Sequence, residues 1–349
     1  MICPFCDQNL LLKERPNRTC SHCKRRFALD PKTNSLRMSD LRVRRLLVKL
    51  TDGGRLKISV DQLGSPALPR TGPVKGESPV VEALGCLWVP LLVGIVMIIV
   101  GLSAEDMGGF AIAGSVLVLI AVLGLSAALI FGGKEQKREQ ARHPLSGFRG
   151  MMATDWKNVY GSLPPGVVDD FPYRKVYLPE GARIALLCPD GAIAAFLVAN
   201  GIPERYGVAV TAHADRLPEE MPVVVLHDAS APGCRLVIRT REALPGRTVI
   251  DAGLPPRAVM RTPGAPARRG YKPAKDLIEW LGESGTLTKA ELDWLAKGWT
   301  VSLVAIRPAK LLAAVSKTVE RLAAATRTEP ERREAEAVGF LTWPGEAGR

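Results

Sequence analysis

The chain has 349 residues, 47 Lys and Arg against 35 Asp and Glu, and a formal net charge of +12 at pH 7. The excess is uneven: 16 basic and 7 acidic residues fall in 1–79, three acidic and no basic residues in 80–131, and a net of +6 in the remainder. A basic surface beside a bilayer accounts for this through anionic headgroups, at about 1 kcal/mol per well-placed cation, ahead of nucleic acid; in the cytoplasmic setting argued below, the seven cysteines exclude a disulfide scaffold.

Cys3-Pro4-Phe5-Cys6 and Cys20-Ser21-His22-Cys23 make a C-x2-C-x13-C-x2-C pattern. Each C-x2-C forms a knuckle that points two thiolates at one place, and two knuckles complete a tetrahedral sulfur shell that zinc accepts. Lys24, Arg25 and Arg26 offset thiolate charge or meet phosphate equally well. Segments Gln8 to Leu12 and Arg26 to Leu29 read as small paired strands. His22 is a substitute ligand, although four cysteines suffice. Over residues 1–30 the pattern resembles the zinc-ribbon family, which implies a structural zinc held by Cys3, Cys6, Cys20 and Cys23 with no open coordination position. Unligated thiols or an iron–sulfur site are the alternatives.

Residues 31–63 read as a small basic module. Ser39 is an N-cap for a helix from Asp40 to Leu50, with Val43, Leu46, Leu47 and Leu50 on one face and Arg42, Arg44, Arg45 and Lys49 over much of the rest. Gly53-Gly54 stops it; a β-hairpin turning at Asp52-Gly53-Gly54 competes. Ribbon and module together resemble the N-terminal region of uncharacterised actinobacterial membrane proteins, a likeness that carries no activity. Residues 64–82 are rich in Pro, Gly and Ser and predict a flexible tether.

Residues 83–104 and 110–131 are uncharged apolar stretches, each long enough to cross a hydrocarbon core of about 30 Å. They predict a two-helix transmembrane hairpin. The basic flanks place both termini in the cytoplasm and the Glu105-Asp106 tip outside a cell (inner) membrane. Residues 132–154 form a basic juxtamembrane linker whose Lys134, Lys137, Arg138 and Arg142 face lipid. Gly124 and Ala128, four positions apart, suit a homo-oligomer through the hairpin.

Residues 155–325 predict an α/β domain with a mainly parallel sheet. Candidate strands are Arg183 to Cys188, Tyr206 to Ala212, Val223 to His227, Cys234 to Arg239, Thr248 to Asp251 and Trp299 to Ile306. Candidate helices are Gly191 to Asn200, Ala274 to Leu281, Lys289 to Lys297 and a final one from Pro308 to about Ala325. Residues 326–349 are polar and read as a disordered tail.

Ligands gather at the carboxyl ends of strands in such sheets, where Asp190 and Asp228 form a possible second metal site for Mg2+. The order strand, helix, strand ending in Asp228-Ala229-Ser230 resembles the toprim domain. It departs where toprim needs a Glu, at Cys188-Pro189-Asp190, and a second Asp, at Ser230. Ordinary turn chemistry at both aspartates is the competing account. No P-loop, dinucleotide fingerprint or nucleophile elbow occurs. His213 and His227 sit at strand ends without a visible nucleophile, His143 lies in the basic linker, and Trp280, Trp294 and Trp299 read as packing anchors.

The expected architecture is therefore a multi-domain membrane protein: N-terminal zinc ribbon, two-helix transmembrane hairpin, C-terminal cytoplasmic α/β domain. The expected function is a non-enzymatic, membrane-anchored scaffold that recruits a protein partner, with an anionic lipid bilayer and nucleic acid as further partners. The alternative is an Mg2+-dependent enzyme acting on nucleic acid or a phosphorylated substrate through Asp190 and Asp228.

Overall fold

The computed structural model describes residues 1–34, 36–68, 92–100, 112–113, 115–119, 145–169, 176–218, 220–270 and 272–337, with side chains through 325. The chain divides into two compact units, Met1–Gly72 with Phe148–Arg349, and Pro73–Gly147.

In the second unit, residues 92–100, 112–113 and 115–119 are helical. Among the described residues no helix is long and apolar enough to cross a membrane. This corrects the expected membrane-protein fold class, the transmembrane hairpin over 83–104 and 110–131, and the multi-pass inner-membrane placement with cytoplasmic termini that rested on it. The remaining residues of both stretches, and Lys134, Lys137, Arg138 and Arg142, lie outside the described residues.

The first unit is an α/β fold with parallel sheets. Its N-terminal part holds α1 (Asp40–Leu50), β1 (Ile58–Ser59) and α2 (Val60–Gly64). Helix α1 starts where its pattern predicts, with the Ser39 hydroxyl accepting from the Arg42 amide. Asp52, Gly53 and Gly54 all take positive φ and turn the chain out of the helix, so no hairpin forms there. Ser59 and Gln62 make a buried capping box that opens α2.

The chain re-enters this unit through a helical segment, Ser146–Met151, that runs into a π-helical turn, Met152–Trp156, and α3 (Lys157–Tyr160), followed by β2 (Val167–Val168). Strands β1 and β2 pair in parallel, Ile58 with Val167 and Ser59 with Val168. The central sheet has four parallel strands in the order β4-β3-β5-β6: β3 (Ile184–Leu187), β4 (Val208–Thr211), β5 (Val223–Val225) and β6 (Val249–Asp251). Strands β3, β4 and β5 are buried throughout, as strands covered on both faces must be, and β3 and β5 read as unbroken apolar runs while β4 ends in the buried Thr211.

Helices α4 (Gly191–Ala199) and α5 (Ile202–Tyr206) connect β3 to β4, and α6 (Ala231–Ala243) connects β5 to β6. The two connections run in opposite directions from the centre of the sheet. With right-handed crossovers, α4 and α6 therefore cover opposite faces. Ala185, Leu187, Val223 and Val225 pack with Val237 of α6 on one face.

Residues Cys234 to Arg239 are helical, not a strand: the Ser230 hydroxyl caps α6 at the Gly233 amide and Pro232 sits in its first turn. Helix α7 (Pro256–Arg261) and strand β7 (Arg268–Arg269) follow, then α8 (Lys275–Glu283) and α9 (Lys289–Ala296). Strand β8 (Trp299–Thr300) is only two residues long, where a strand to Ile306 was expected, because Leu303–Ala305 closes into a 3-10 turn capped by Ser302. The last helix, α10, runs Pro308–Ala337 and extends into the segment expected to be disordered.

Candidate metal centre

The four N-terminal cysteines come together. Sγ separations are 3.8 Å for Cys3–Cys23 and for Cys6–Cys20, and all four sulfurs lie within 4.8 Å of one another. Four thiolates at about 2.3 Å from a central ion form a tetrahedron with an edge of about 3.8 Å, so the donor set fits a metal of zinc's size. His22 is exposed and stands outside the cluster. The arrangement is compatible with a zinc-ribbon-like site.

The knuckles repeat at a seventeen-residue offset that composition did not reveal. The bridge Ile2–Asn9 recurs as Thr19–Arg26, and positive φ at Asp7 recurs at Lys24. The Cys3 amide donates to the Gln8 carbonyl at 2.9 Å, and the Cys20 amide to the Arg25 carbonyl at 3.0 Å. These isolated bridges replace the longer strands expected over Gln8 to Leu12 and Arg26 to Leu29. Cys3, Leu10, Cys20 and Phe27 form a small buried core.

This ribbon is fastened to the rest of the unit. Asp40, at the start of α1, is fully buried: its carboxylate accepts from the Ala28 amide at 2.9 Å, the Leu29 amide at 2.7 Å and the Tyr160 hydroxyl at 2.5 Å. One carboxylate thus ties together ribbon, α1 and α3. Burial, and then the Asp40 charge, raise the Tyr160 phenol well above its ordinary range. Arg18 pairs with Asp155 of the π-helical turn at 2.7 Å. The Phe5 and Tyr160 rings lie 6.1 Å apart, and Trp156 packs against Tyr160 at 4.6 Å.

Arg15 and Asp30 form a buried ion pair at 3.0 Å, although the Arg15 Nε and NH1 find no acceptor at hydrogen-bonding angles. Further along, the Asn200 side chain takes the place of a strand. Its oxygen accepts from the Lys57 amide at 3.0 Å and its amide donates to the Lys57 carbonyl at 2.8 Å, locking the end of α4 to β1.

The carboxyl edge of the sheet is the second place where chemistry was expected. Strands β3 and β5 are neighbours whose connections leave in opposite directions, which makes their carboxyl ends the topological switch point of the sheet. Asp190 follows β3 and Asp228 follows β5. Asp190 is the N-cap of α4, one oxygen accepting from the amides of Ala192 at 3.0 Å and Ile193 at 3.2 Å. Burial, helped by the nearby charges of Asp61 and Asp228, raises its pKa to about 6. Asp228 accepts from the Ser230 hydroxyl at 2.6 Å, and burial raises it as well. Among the described residues, the four cysteines are the group in which three or more metal-ligating side chains converge, and the two aspartates are joined by no third.

His227 is not poised as a base toward Ser230. Its Nδ1 lies 2.7 Å from the Asp228 carbonyl oxygen and its Nε2 3.1 Å from the Asp251 carboxylate. Both partners only accept, so the network assigns a proton to each ring nitrogen. Burial alone would lower this imidazole, but Asp251 and the Asp228 carbonyl outweigh it and raise its pKa; Asp251 is lowered in turn, its bond to His227 outweighing its own burial.

Cys188 and Cys234 are buried free thiols, pushed up by burial, Cys234 to about 12, and so are inert at neutral pH. Trp280 and Trp294 pack against Leu281 and Leu295, as anchors of α8 and α9.

Sequence reasoning missed Asp40, Tyr160, Asp155, Asn200 and Asp251. Asp40 carried a local signal, an acidic first-turn residue, but nothing marked it as buried. The others act across 24 residues or more, where periodicity carries no information. No protein family, curated protein or solved structure matches the chain.

Proposed function

We propose that this is a non-enzymatic binding protein in which a zinc ribbon is a fixed part of a larger α/β body and holds a recruitment surface in place. The observation that carries this reading is the buried Asp40 carboxylate, which joins the four-cysteine ribbon to α1 and α3 through three hydrogen bonds. The donor set supports zinc held by Cys3, Cys6, Cys20 and Cys23. A four-thiolate zinc has no open position, so its contribution is to fold and position, not to react. The surface it positions joins the ribbon's exposed cations to those of α1.

No comparable observation favours an Mg2+-dependent reaction. Asp190 and Asp228 are engaged in capping and turn bonds, and the toprim-like likeness of this edge is not adopted.

The test is metal analysis of the purified full chain with Co2+ substitution, alongside Cys3→Ser and Cys20→Ser. One zinc per chain, tetrahedral thiolate bands with Co2+, and cooperative loss of stability in both variants are the expected results. A chain that holds no zinc, or variants that melt like the parent, would overturn the reading.

A further inference from the structure

Between Cys20 and Leu50 the chain carries nine basic residues and two carboxylates. Both carboxylates are buried and used internally: Asp30 on Arg15 and the Lys32 amide, Asp40 on two ribbon amides and Tyr160. All nine cations are exposed. Among the described residues, none of the nine lies within ion-pair distance of a carboxylate. A four-thiolate zinc would offset part of the charge of Lys24, Arg25 and Arg26, whereas the cations of α1 have no such counter-charge and suit a polyanion.

Two of the cations, one from each segment, meet at an aromatic seam. Arg25 of the ribbon lies over the Phe5 ring at 5.5 Å, Phe5 approaches Tyr160 at 6.1 Å, and Arg44 of α1 lies over Tyr160 at 5.4 Å. This aromatic seam joins ribbon cations to helix cations. The rings are covered by guanidinium groups, which leaves them poor platforms for stacking unpaired bases. The same contacts hold the two arginines in place, so less side-chain freedom is lost when each meets a phosphate. On another side of α1, Arg42, Arg45 and Lys49 follow i, i+3, i+7 spacing, a stripe of about 10 Å. B-form DNA presents a phosphate about every 3.4 Å along one strand, so the stripe alone spans about three phosphates of a strand.

We propose that the α1 stripe, supported by the ribbon cations at the seam, binds a nucleic-acid duplex through its phosphates, without reading bases. The inference rests on the zinc-ribbon reading above for its ribbon half, since Arg25 and Phe5 are placed by the metal knuckles, whereas the α1 stripe is placed by the helix itself.

The test is fluorescence anisotropy of the zinc-loaded full chain with a labelled mixed-sequence DNA duplex across a salt series. The expected logarithmic salt slope is about −3 to −5, at roughly −0.9 per phosphate neutralised. The double variant Arg45→Ala/Lys49→Ala, both exposed on α1, weakens binding and shrinks the slope by about 2. Arg261→Ala on α7 leaves both unchanged. Circular dichroism confirms that the variants fold.

Three results would overturn the proposal: an unchanged slope in the double variant, tighter binding of the single strand than of the duplex, or capture by phosphatidylserine vesicles with no response to the duplex. Metal content in the same samples separates the two readings. A zinc-loaded chain that ignores DNA sinks this proposal and keeps the ribbon. A zinc-free chain whose DNA binding still depends on Arg45 and Lys49 sinks the ribbon reading and keeps the α1 face.

Discussion

Removing the Tyr160 hydroxyl isolates the fastening of the ribbon to the α/β body. Tyr160→Phe keeps the ring, and with it the contacts to Phe5 and Trp156, but deletes the 2.5 Å bond to Asp40. A hydrogen bond to a charged acceptor is worth about 1.5–3 kcal/mol, and Asp40 retains two backbone donors, so the expected cost is about 2 kcal/mol. Asp40→Ala is harsher. It strands two buried amides and the hydroxyl, each costing about 1–3 kcal/mol, and after partial relief by water the expected loss is about 4 kcal/mol. The assay is urea unfolding of the zinc-loaded full chain, with the double variant added so that a coupling of at least about 1 kcal/mol is read directly.

A phenol titration gives an independent readout. Tyr160 is raised in the folded state, so its contribution is full below the unfolded phenol value of about 10 and is lost as pH climbs above that. In Asp40→Ala the phenol returns toward its ordinary range. A Tyr160→Phe protein within about 0.5 kcal/mol of the parent, or an Asp40→Ala protein no weaker than Tyr160→Phe, would refute the idea that Asp40 is the fastening point.

Two further outcomes are expected at the other end of the unit. A Cβ at Gly253 would fall 2.1 Å from the buried His227 ring, so Gly253→Ala should cost about 3 kcal/mol, while Gly282→Ala in α8, with nothing nearer than 3.5 Å, should gain about 0.5 kcal/mol; denaturant midpoints measure both. The His227–Asp251 pair should contribute about 1 kcal/mol, reduced by the partial exposure of Asp251. Because His227 is raised and Asp251 lowered, that contribution is present from about pH 4 to about 6.5 and is lost as pH rises through the raised imidazole value. The difference between the parent and Asp251→Asn, measured against pH, should close above that point, and a constant difference would contradict the assignment.

What the sequence made legible is what is local. The metal pattern is four cysteines at fixed spacing, and its knuckles close within six residues. Helix α1 is announced by Ser39 and by a 3.6-residue period. The parallel strands announce themselves because burial on both faces leaves no polar position in IALL or VVV. Local information also misled. The apolar density of 83–131 was read as a membrane hairpin on length and hydropathy alone. The apolar Leu236, Val237 and Ile238 make Cys234 to Arg239 read as a strand, although Ser230 and Pro232 set a helix start two to four positions earlier.

What was not legible is the joining of the ends. Strand β1 pairs with β2 across more than 100 residues, and Asp40 meets Tyr160 across 120. Both pairings have unremarkable sequences, since a two-residue strand has no periodicity and a first-turn aspartate is common at any helix start. Yet these contacts decide what the ribbon can do. A four-thiolate ion offers no vacant position for chemistry, so a ribbon acts through whatever its knuckles hold still. Tethered freely, it would present Lys24, Arg25 and Arg26 apart from the cations of α1. Fastened through Asp40 and Tyr160, it places Arg25 on the same aromatic seam as Arg44, so that a cation from each segment is held at one place.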